Sequence, residues 1–287
     1  MMYCKYRLRL PLNKIKENLK QQYDFSITEG GIQKILHNLQ NRFNKQYQEI
    51  IKEIRKSKVK HVDETSWRIQ GQDSWCWLFS NKSSVLYTIE ETRGKGVPET
   101  ILTKTPNGVL VRDDYVVYKN LDMEQQSCWV HLLRVSRETK SNEAQLLYYE
   151  LKTMFQELQT IIEQPFNQEQ RDKQFLCYEQ KINKIINTNY KELDTKKVQT
   201  RIKNQNTNLI TALKHQNVDL TNNLAEQQIR PIVITRKISG GSQSIQGAKT
   251  HAVNMSIIQT IALQKKPILK ELRKMLSGRV HRFVGEG

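Results

Sequence analysis

Three acidic residues in separate stretches carry the chemistry that this 287-residue sequence offers. Asp63 lies in Val59-Lys-His-Val-Asp-Glu-Thr-Ser-Trp-Arg-Ile69, Asp113 ends Gly108-Val-Leu-Val-Arg-Asp113, and Glu226 lies in Thr221-Asn-Asn-Leu-Ala-Glu-Gln-Gln-Ile-Arg230. The first two stretches have strand character, and strands deplete Asp because a carboxylate there is costly to bury. A solvated acid at a strand end accounts for Asp63 alone, and a divalent ion accounts for all three acids together. Carboxylates suit the hard cations Mg²⁺ or Mn²⁺. Two such ions about 3.5–4 Å apart activate an attacking oxygen and stabilise a leaving one. Asn223, Glu226 and Arg230 share a helical face at i, i+3 and i+7. An amide, an acid and a guanidinium on one face suit a metal-bound phosphodiester, although Glu226 and Arg230 equally make an ordinary i,i+4 ion pair. Glu64 is expected on the face of its strand opposite Asp63.

Several elements are needed to position these groups. Residues 11–57 read as helical: Leu12, Ile15 and Leu19 form one stripe, Gln21-Gln-Tyr-Asp24 is a polar link, and Ser26 with Glu29 has capping-box spacing. Ile32, Ile35, Leu36, Leu39 and Phe43 fall on one helical face that continues through Tyr47, Ile50, Ile51 and Ile54. This is half of a helix-turn-helix module or a plain helical hairpin. Residues 58–90 read as three strands, with a turn at Gln70-Gly-Gln-Asp73. A short helix to Leu102, a turn at Pro106-Asn-Gly108, the strand Val109-Leu-Val111, a helix over 115–121, the strand Ser127-Cys-Trp-Val130 and a helix from Leu132 follow. That order is the one of a ribonuclease-H-like α/β fold, a mixed sheet flanked by helices, in which the first and fourth strands are neighbours.

Residues 141–217 are polar and carry no strand pattern. Leu147, Leu151, Met154, Leu158 and Ile161 repeat like a and d heptad positions, Pro165-Phe-Asn167 interrupts, and Phe175, Tyr178, Ile182 and Ile185 resume. An inserted helical hairpin is expected, between a first catalytic part at 58–140 and a second at 218–287. Thr221 or Asn222 caps the helix with Glu226, a long helix spans about Gln246–Leu263, and Pro267 begins a last one. Arg236, Lys237 and Gly240-Gly241 form either a phosphate-holding loop or a simple basic turn.

A formal charge of +17 and a sequence pI of about 9.7 point to a polyanion, most simply nucleic acid, although an AT-rich genome also inflates Lys and Asn. Cys4, Cys76, Cys128 and Cys177 form no Cys-x-x-Cys pair, which argues for a reducing compartment without a disulfide framework. Cys128-x-x-His131 is half of a zinc pattern without a second half, so His131 suits packing or DNA positioning better than metal binding. No apolar run is long enough for a membrane span, and a soluble cytoplasmic protein is expected.

The chain resembles the IS66-family transposases, which carry a DDE catalytic domain. The matching stretches are His61-Val-Asp-Glu-Thr65 with Trp67; Gly108–Asp113 with Tyr115 and Tyr118; Cys128-Trp-Val-His131 with Arg134; Thr221–Glu226 with Ile229-Arg-Pro231; and Arg236-Lys-Ile-Ser-Gly-Gly241 with Ser244, Gly247-Ala248 and His251. The resemblance runs from about residue 10 to 276. It implies that Asp63, Asp113 and Glu226 are the catalytic, metal-holding triad. The expected activity is metal-dependent cleavage at element ends and strand transfer, on double-stranded DNA and as a homo-oligomer. Cleavage without joining, and DNA binding by a catalytically inactive remnant, are the other activities this pattern accommodates. Two departures stand out. Asp114 occupies a position where the family usually has a small residue. The family's usual longer N-terminal region, with a coiled coil and a cysteine-rich zinc part, has no counterpart here, as expected of a compact relative, a truncated frame or a domain of a split element.

Overall fold

A computed structural model describes residues 1–103 and 107–278. Within it the stretch around Asp63 is the strand β1 (Val59–Ile69), paired antiparallel with β2 (Gln72–Ser80), which pairs antiparallel with β3 (Val85–Glu90). Gln70 and Gly71 both have positive φ, 53° and 78°, as a two-residue primed hairpin turn requires. β4 (Val109–Arg112) and β5 (Glu124–Ser127) pair in parallel. The expected order of three strands, helix, strand, helix, strand and helix is observed, which makes the chain α/β with both antiparallel and parallel strand pairing. The turn expected at Pro106-Asn-Gly108 falls partly outside the described residues.

The chain divides into two units, Met1–Asn107 with Leu224–Gly287, and Gly108–Asn223. The first holds β1–β3 and the helices α1 (Met2–Tyr6), α2 (Leu12–Tyr23), α3 (Glu29–Arg42), α4 (Asn44–Lys56) and α5 (Gly96–Leu102). Gln21–Tyr23 continue α2 rather than forming a link, and Asp24 ends it with φ 49°. The cap of α3 is Thr28, whose hydroxyl accepts the Gly31 N–H at 3.0 Å, so Ser26 and Glu29 make no capping box. The long apolar stripe is divided at Phe43, which leaves helical dihedrals at ψ 4° and separates α3 from α4.

The later segments of this unit are α11 (Asn223–Ser239), α12 (Ile245–Leu263) and α13 (Ile268–Leu276). α12 is buried on all sides from Thr250 to Ile261 and packs against α1, α3, α4, α13 and β3. Its polar residues form a stripe that closes the outer edge of β3. The Val85 N–H donates to Thr260 Oγ1 at 3.0 Å and the Tyr87 N–H to Ser256 Oγ at 2.8 Å. Thr260 Oγ1 returns a bond to Val85 O, and Gln264 Nε2 reaches Ser83 O. The Tyr47 hydroxyl of α4 takes Tyr87 O at 2.8 Å. Side-chain hydroxyls thus occupy edge groups that would otherwise template another strand.

His251 of α12 is stacked on Trp67 at 5.0 Å and meets the Tyr6 ring edge-on at 5.3 Å. Burial, reinforced by the Lys5 charge, pushes its pKa down to about 3 from the ordinary 6.5. The folded chain keeps this imidazole neutral while the unfolded chain protonates it below pH 6.5. Its contribution to stability is therefore complete above that pH and is lost as pH falls towards 3. Lowering pH from 6.5 to 4.5 should cost about 2.3 kcal/mol through this residue, since the unfolded imidazole is already half protonated at pH 6.5. Urea titrations at both pH values should show that loss shrinking by about that amount in His251→Phe; equal losses in both proteins would contradict it.

The second unit holds β4, β5, α6 (Val116–Lys119), α7 (Trp129–Arg137), α8 (Asn142–Glu163), α9 (Gln168–Asn187) and α10 (Leu193–Gln205), followed by two 3-10 turns over 206–213. The strand expected over 127–130 lies earlier in the chain. Glu124–Ser127 pair with β4 because buried Gln125 and Gln126 bond the carbonyls of Tyr118, Leu121 and Leu209, which makes a polar strand viable inside the unit. The apolar run that reads as strand instead opens α7, with the indole of Trp129 donating to Leu209 O at 2.6 Å. Leu147, Leu151, Met154 and Leu158 of α8 and Phe175, Tyr178, Ile182 and Ile185 of α9 are buried as their spacing predicts. A third helix, α10, follows the expected pair and adds Val198 and Ile202 to the same core.

Candidate functional site

β1 and β2 pair in continuous register from His61↔Ser80 to Ile69↔Gln72, so Asp63 and Glu64 emerge on opposite faces, as expected. The sheet disposes of the two acids differently. Glu64 has a side chain only 2% exposed and receives Arg93 Nη2 at 2.5 Å and Nε at 3.2 Å. The same guanidinium lies 4.5 Å from the centre of the Trp75 ring. This ion pair, buried at the Glu64 end and exposed at the Arg93 end, satisfies a carboxylate that desolvation would otherwise penalise. The sequence reading missed Arg93, which sits 29 positions away and meets Glu64 only once the strands are folded.

Asp63 occupies the other face, half-buried, and its Oδ1 accepts the Glu64 N–H at 2.9 Å. α11 lies over that face at two points. Asp63, Leu78 and Tyr87 are consecutive cross-strand partners and so point the same way. The Tyr87 hydroxyl donates to the Gln228 carbonyl of α11, and Arg236 Nη1 reaches Thr65 Oγ1 at 3.0 Å and Ser66 O at 2.5 Å. Glu226, half-buried, is two residues from Gln228 and therefore on the helix that crosses the Asp63 face. α11 continues through Pro231, which lacks the N–H that would bond Gln227 O.

Of the residues expected to touch DNA, Asn223 is exposed at the start of α11, Arg230 near its middle and Lys237 near its end. Arg236 is half-buried and its guanidinium holds β1 through Thr65 and Ser66. The glycine loop after it also serves β1. The Ser242 N–H donates to Arg68 O at 2.8 Å, Gln70 N–H returns to Ser242 O at 2.9 Å, and Ile69 and Ser242 form a parallel bridge. The helix that follows is capped by its own Ser244, whose hydroxyl takes Gly247 N–H.

Within the second unit, Asp113 follows the C-terminal end of β4, half-buried, and its Oδ1 accepts the Tyr115 N–H at 3.0 Å in an Asx turn. Asp113, Asp114, Cys128, His131 and Arg201 line one narrow depression, which brings the expected residues Asp113 and His131 together. Cys128 is buried and its Sγ accepts the Asn222 N–H at 3.2 Å. Asp114 is ion-paired to Lys119 at 3.1 Å and to Arg201 at 2.9 Å. Arg112 is fully buried, and burial pulls its pKa down against the opposing pull of Asp114 and Asp113. Its Nε donates to Gln125 Oε1 at 2.9 Å, and its Nη1 to Gln205 Oε1 and Asp113 O, both at 2.8 Å.

The family model for the IS66 transposases matches residues 1–250, most of the chain. The chain belongs to the IS66 transposase family. The matched span takes in all five strands and every helix through α11, and it contains Asp63, Asp113 and Glu226. A search of curated proteins found no match. Membership in the IS66 transposase family implies an enzyme that handles DNA, in keeping with the +17 charge. Among the described residues, no helix of this IS66 transposase is long and apolar enough to cross a membrane.

Proposed function

We propose that this IS66-family chain is a DDE transposase that cleaves the ends of its element and joins the freed 3′-hydroxyl to target DNA. Asp63, Asp113 and Glu226 are its catalytic and metal-holding residues, on a ribonuclease-H-like fold. The observation that carries the reading is the bond between the Tyr87 hydroxyl and the Gln228 carbonyl. It ties the helix of Glu226 to the sheet face of Asp63, while the competing acid Glu64 is neutralised by Arg93 on the other face. Asp113 completes the set from the C-terminal end of a parallel strand, where α/β folds present their functional groups.

The donor set fits the metal class, since three carboxylates make an oxygen-rich site for Mg²⁺ or Mn²⁺. Bound there, a pair of such ions supplies an activated attacking oxygen and a stabilised leaving oxygen. The residues do the rest. Asp63 accepts the Glu64 N–H and Asp113 the Tyr115 N–H, and each bond restricts how its carboxylate can rotate. Asn223 and Arg230, exposed beside Glu226, suit the phosphodiester, and Lys237 and His131 suit the flanking backbone of the duplex. Two copies on one pair of DNA ends would bring both ends to a single target.

The test is a strand-transfer assay with a duplex of the DNA flanking the coding frame, pre-cut to a 3′-hydroxyl, and a plasmid target. Joined products should form in Mg²⁺ or Mn²⁺, not in chelator, and poorly in Ca²⁺, whose looser coordination positions phosphate less strictly. Nicks without joining would make the protein a nuclease. Retention of the duplex without cleavage in any metal would make it a binding remnant, and full activity in chelator would remove the metal mechanism.

A further inference from the structure

Asp113 has two chain neighbours, Arg112 and Asp114, and both are gripped by one helix, α10. Arg112 Nη1 donates to Gln205 Oε1 at 2.8 Å, and the Ser127 hydroxyl donates to the same oxygen at 2.6 Å. Gln205 Nε2 donates in turn to Asp114 Oδ1, and Arg201 Nη1 meets Asp114 Oδ2 at 2.9 Å. Arg201 and Gln205 are four residues apart, so they occupy one face of the last turns of α10. The bend carrying Asp113 is therefore held from both sides: through the buried guanidinium before it and the carboxylate after it. Arg112 Nη1 also bonds the carbonyl of Asp113 itself, so the grip reaches the backbone from which the Asp113 side chain springs.

Nothing else about Asp114 explains its partners as economically. An acid so close to a metal-holding carboxylate adds repulsion, yet Asp114 faces Lys119, Arg201 and Gln205 rather than open solvent. A small residue in its place would leave Arg201 and half of Gln205 without a partner. We infer that Arg201 and Gln205 of α10, acting through Asp114 and Arg112, are positioning residues that set the orientation of Asp113 for metal binding. The inference rests on the proposed function and deepens it. It makes α10, one of the helices between the second and third acids in sequence, part of what determines the metal affinity of the site.

The experiment is Mn²⁺ titration of the intact chain by calorimetry, with Asp63→Asn as the control for a ligand. Arg201→Ala and Asp114→Ser should each raise the Mn²⁺ Kd about 10-fold, the effect of losing a group that orients a ligand. The double variant should be no weaker than either single one, because both remove the same grip. Strand transfer should then require correspondingly more Mn²⁺ while its maximal rate changes less. Wild-type Kd in both single variants, with Asp63→Asn weakened, would overturn the positioning role and leave the functional reading standing. Wild-type Kd in Asp63→Asn would overturn the triad and this inference with it. Should Arg201→Ala fail to fold, Arg201→Lys keeps the charge but alters the geometry; a several-fold rise in Kd supports the inference and an unchanged Kd removes it.

Discussion

Asp63→Asn is expected to reduce strand transfer by about 10³-fold or more, the scale seen when one member of a catalytic unit is lost, while leaving DNA binding intact or tighter. Asparagine keeps the shape of the side chain and an oxygen that can accept the Glu64 N–H, so the strand should fold as before. What is lost is a negative ligand for the metal, and with it one source of repulsion towards phosphate. The neighbouring substitution Glu64→Gln provides the contrast. It removes half of an ion pair with Arg93 on the opposite face, so it should lower stability, not the chemistry of the folded fraction. The measurement is single-turnover joining of a pre-cut end, normalised to folded protein, for both variants. If Glu64→Gln lost as much rate as Asp63→Asn, the assignment of Asp63 over its neighbour would be wrong.

Gly241→Ala should be among the most destabilising single substitutions in the first unit. Gly241 has φ 132°, and a Cβ built on it lies 2.3 Å from the Arg68 carbonyl oxygen, a backbone atom that cannot move without breaking the bridge to Ser242. Strain plus overlap should cost about 3 kcal/mol. Gly240 is the internal comparison. Its φ of 71° is also left-handed, but a Cβ there meets nothing within 4 Å among the described residues. Gly240→Ala should cost only about 1 kcal/mol, the penalty for an L residue in that region. Urea midpoints of the two variants should differ accordingly. Equal midpoints would mean that the close approach to Arg68 is relieved by a shift of the loop.

Some of this was readable from the chain alone, and the reason lies in the range of each interaction. β1–β3 announce themselves by β-branched and aromatic residues with a turn at Gln70-Gly71, and α8 and α9 by heptads, because those patterns are local. β5 was hidden since Glu-Gln-Gln-Ser has no apolar alternation; its stability comes from amide bonds to Leu209, 83 positions on. The cap of α3 was misplaced by two residues because Ser26 and Thr28 both satisfy the local rule and only the backbone chooses. At the candidate site, the acids stand out as types and positions, and the opposite facing of Asp63 and Glu64 follows from strand periodicity. What neutralises Glu64, and what holds Asp114, depends on partners 29, 87 and 91 positions away, which no spacing rule encodes. The same holds for Arg236. Its charge reads as a DNA contact, whereas in the fold its guanidinium ties α11 to β1.

The hydroxyl stripe of α12 has a consequence for how copies of this protein can associate. With the N–H and C=O groups of Val85 and Tyr87 on the edge of β3 taken by Thr260, Ser256 and Tyr47, those groups have no hydrogen bonds to offer a neighbour. A second copy therefore cannot pair with those groups to extend the sheet from one chain into the next. Replacing Ser256 by alanine and Thr260 by valine would remove both hydroxyls without adding volume, and should leave the Val85 and Tyr87 amides of that edge without these partners.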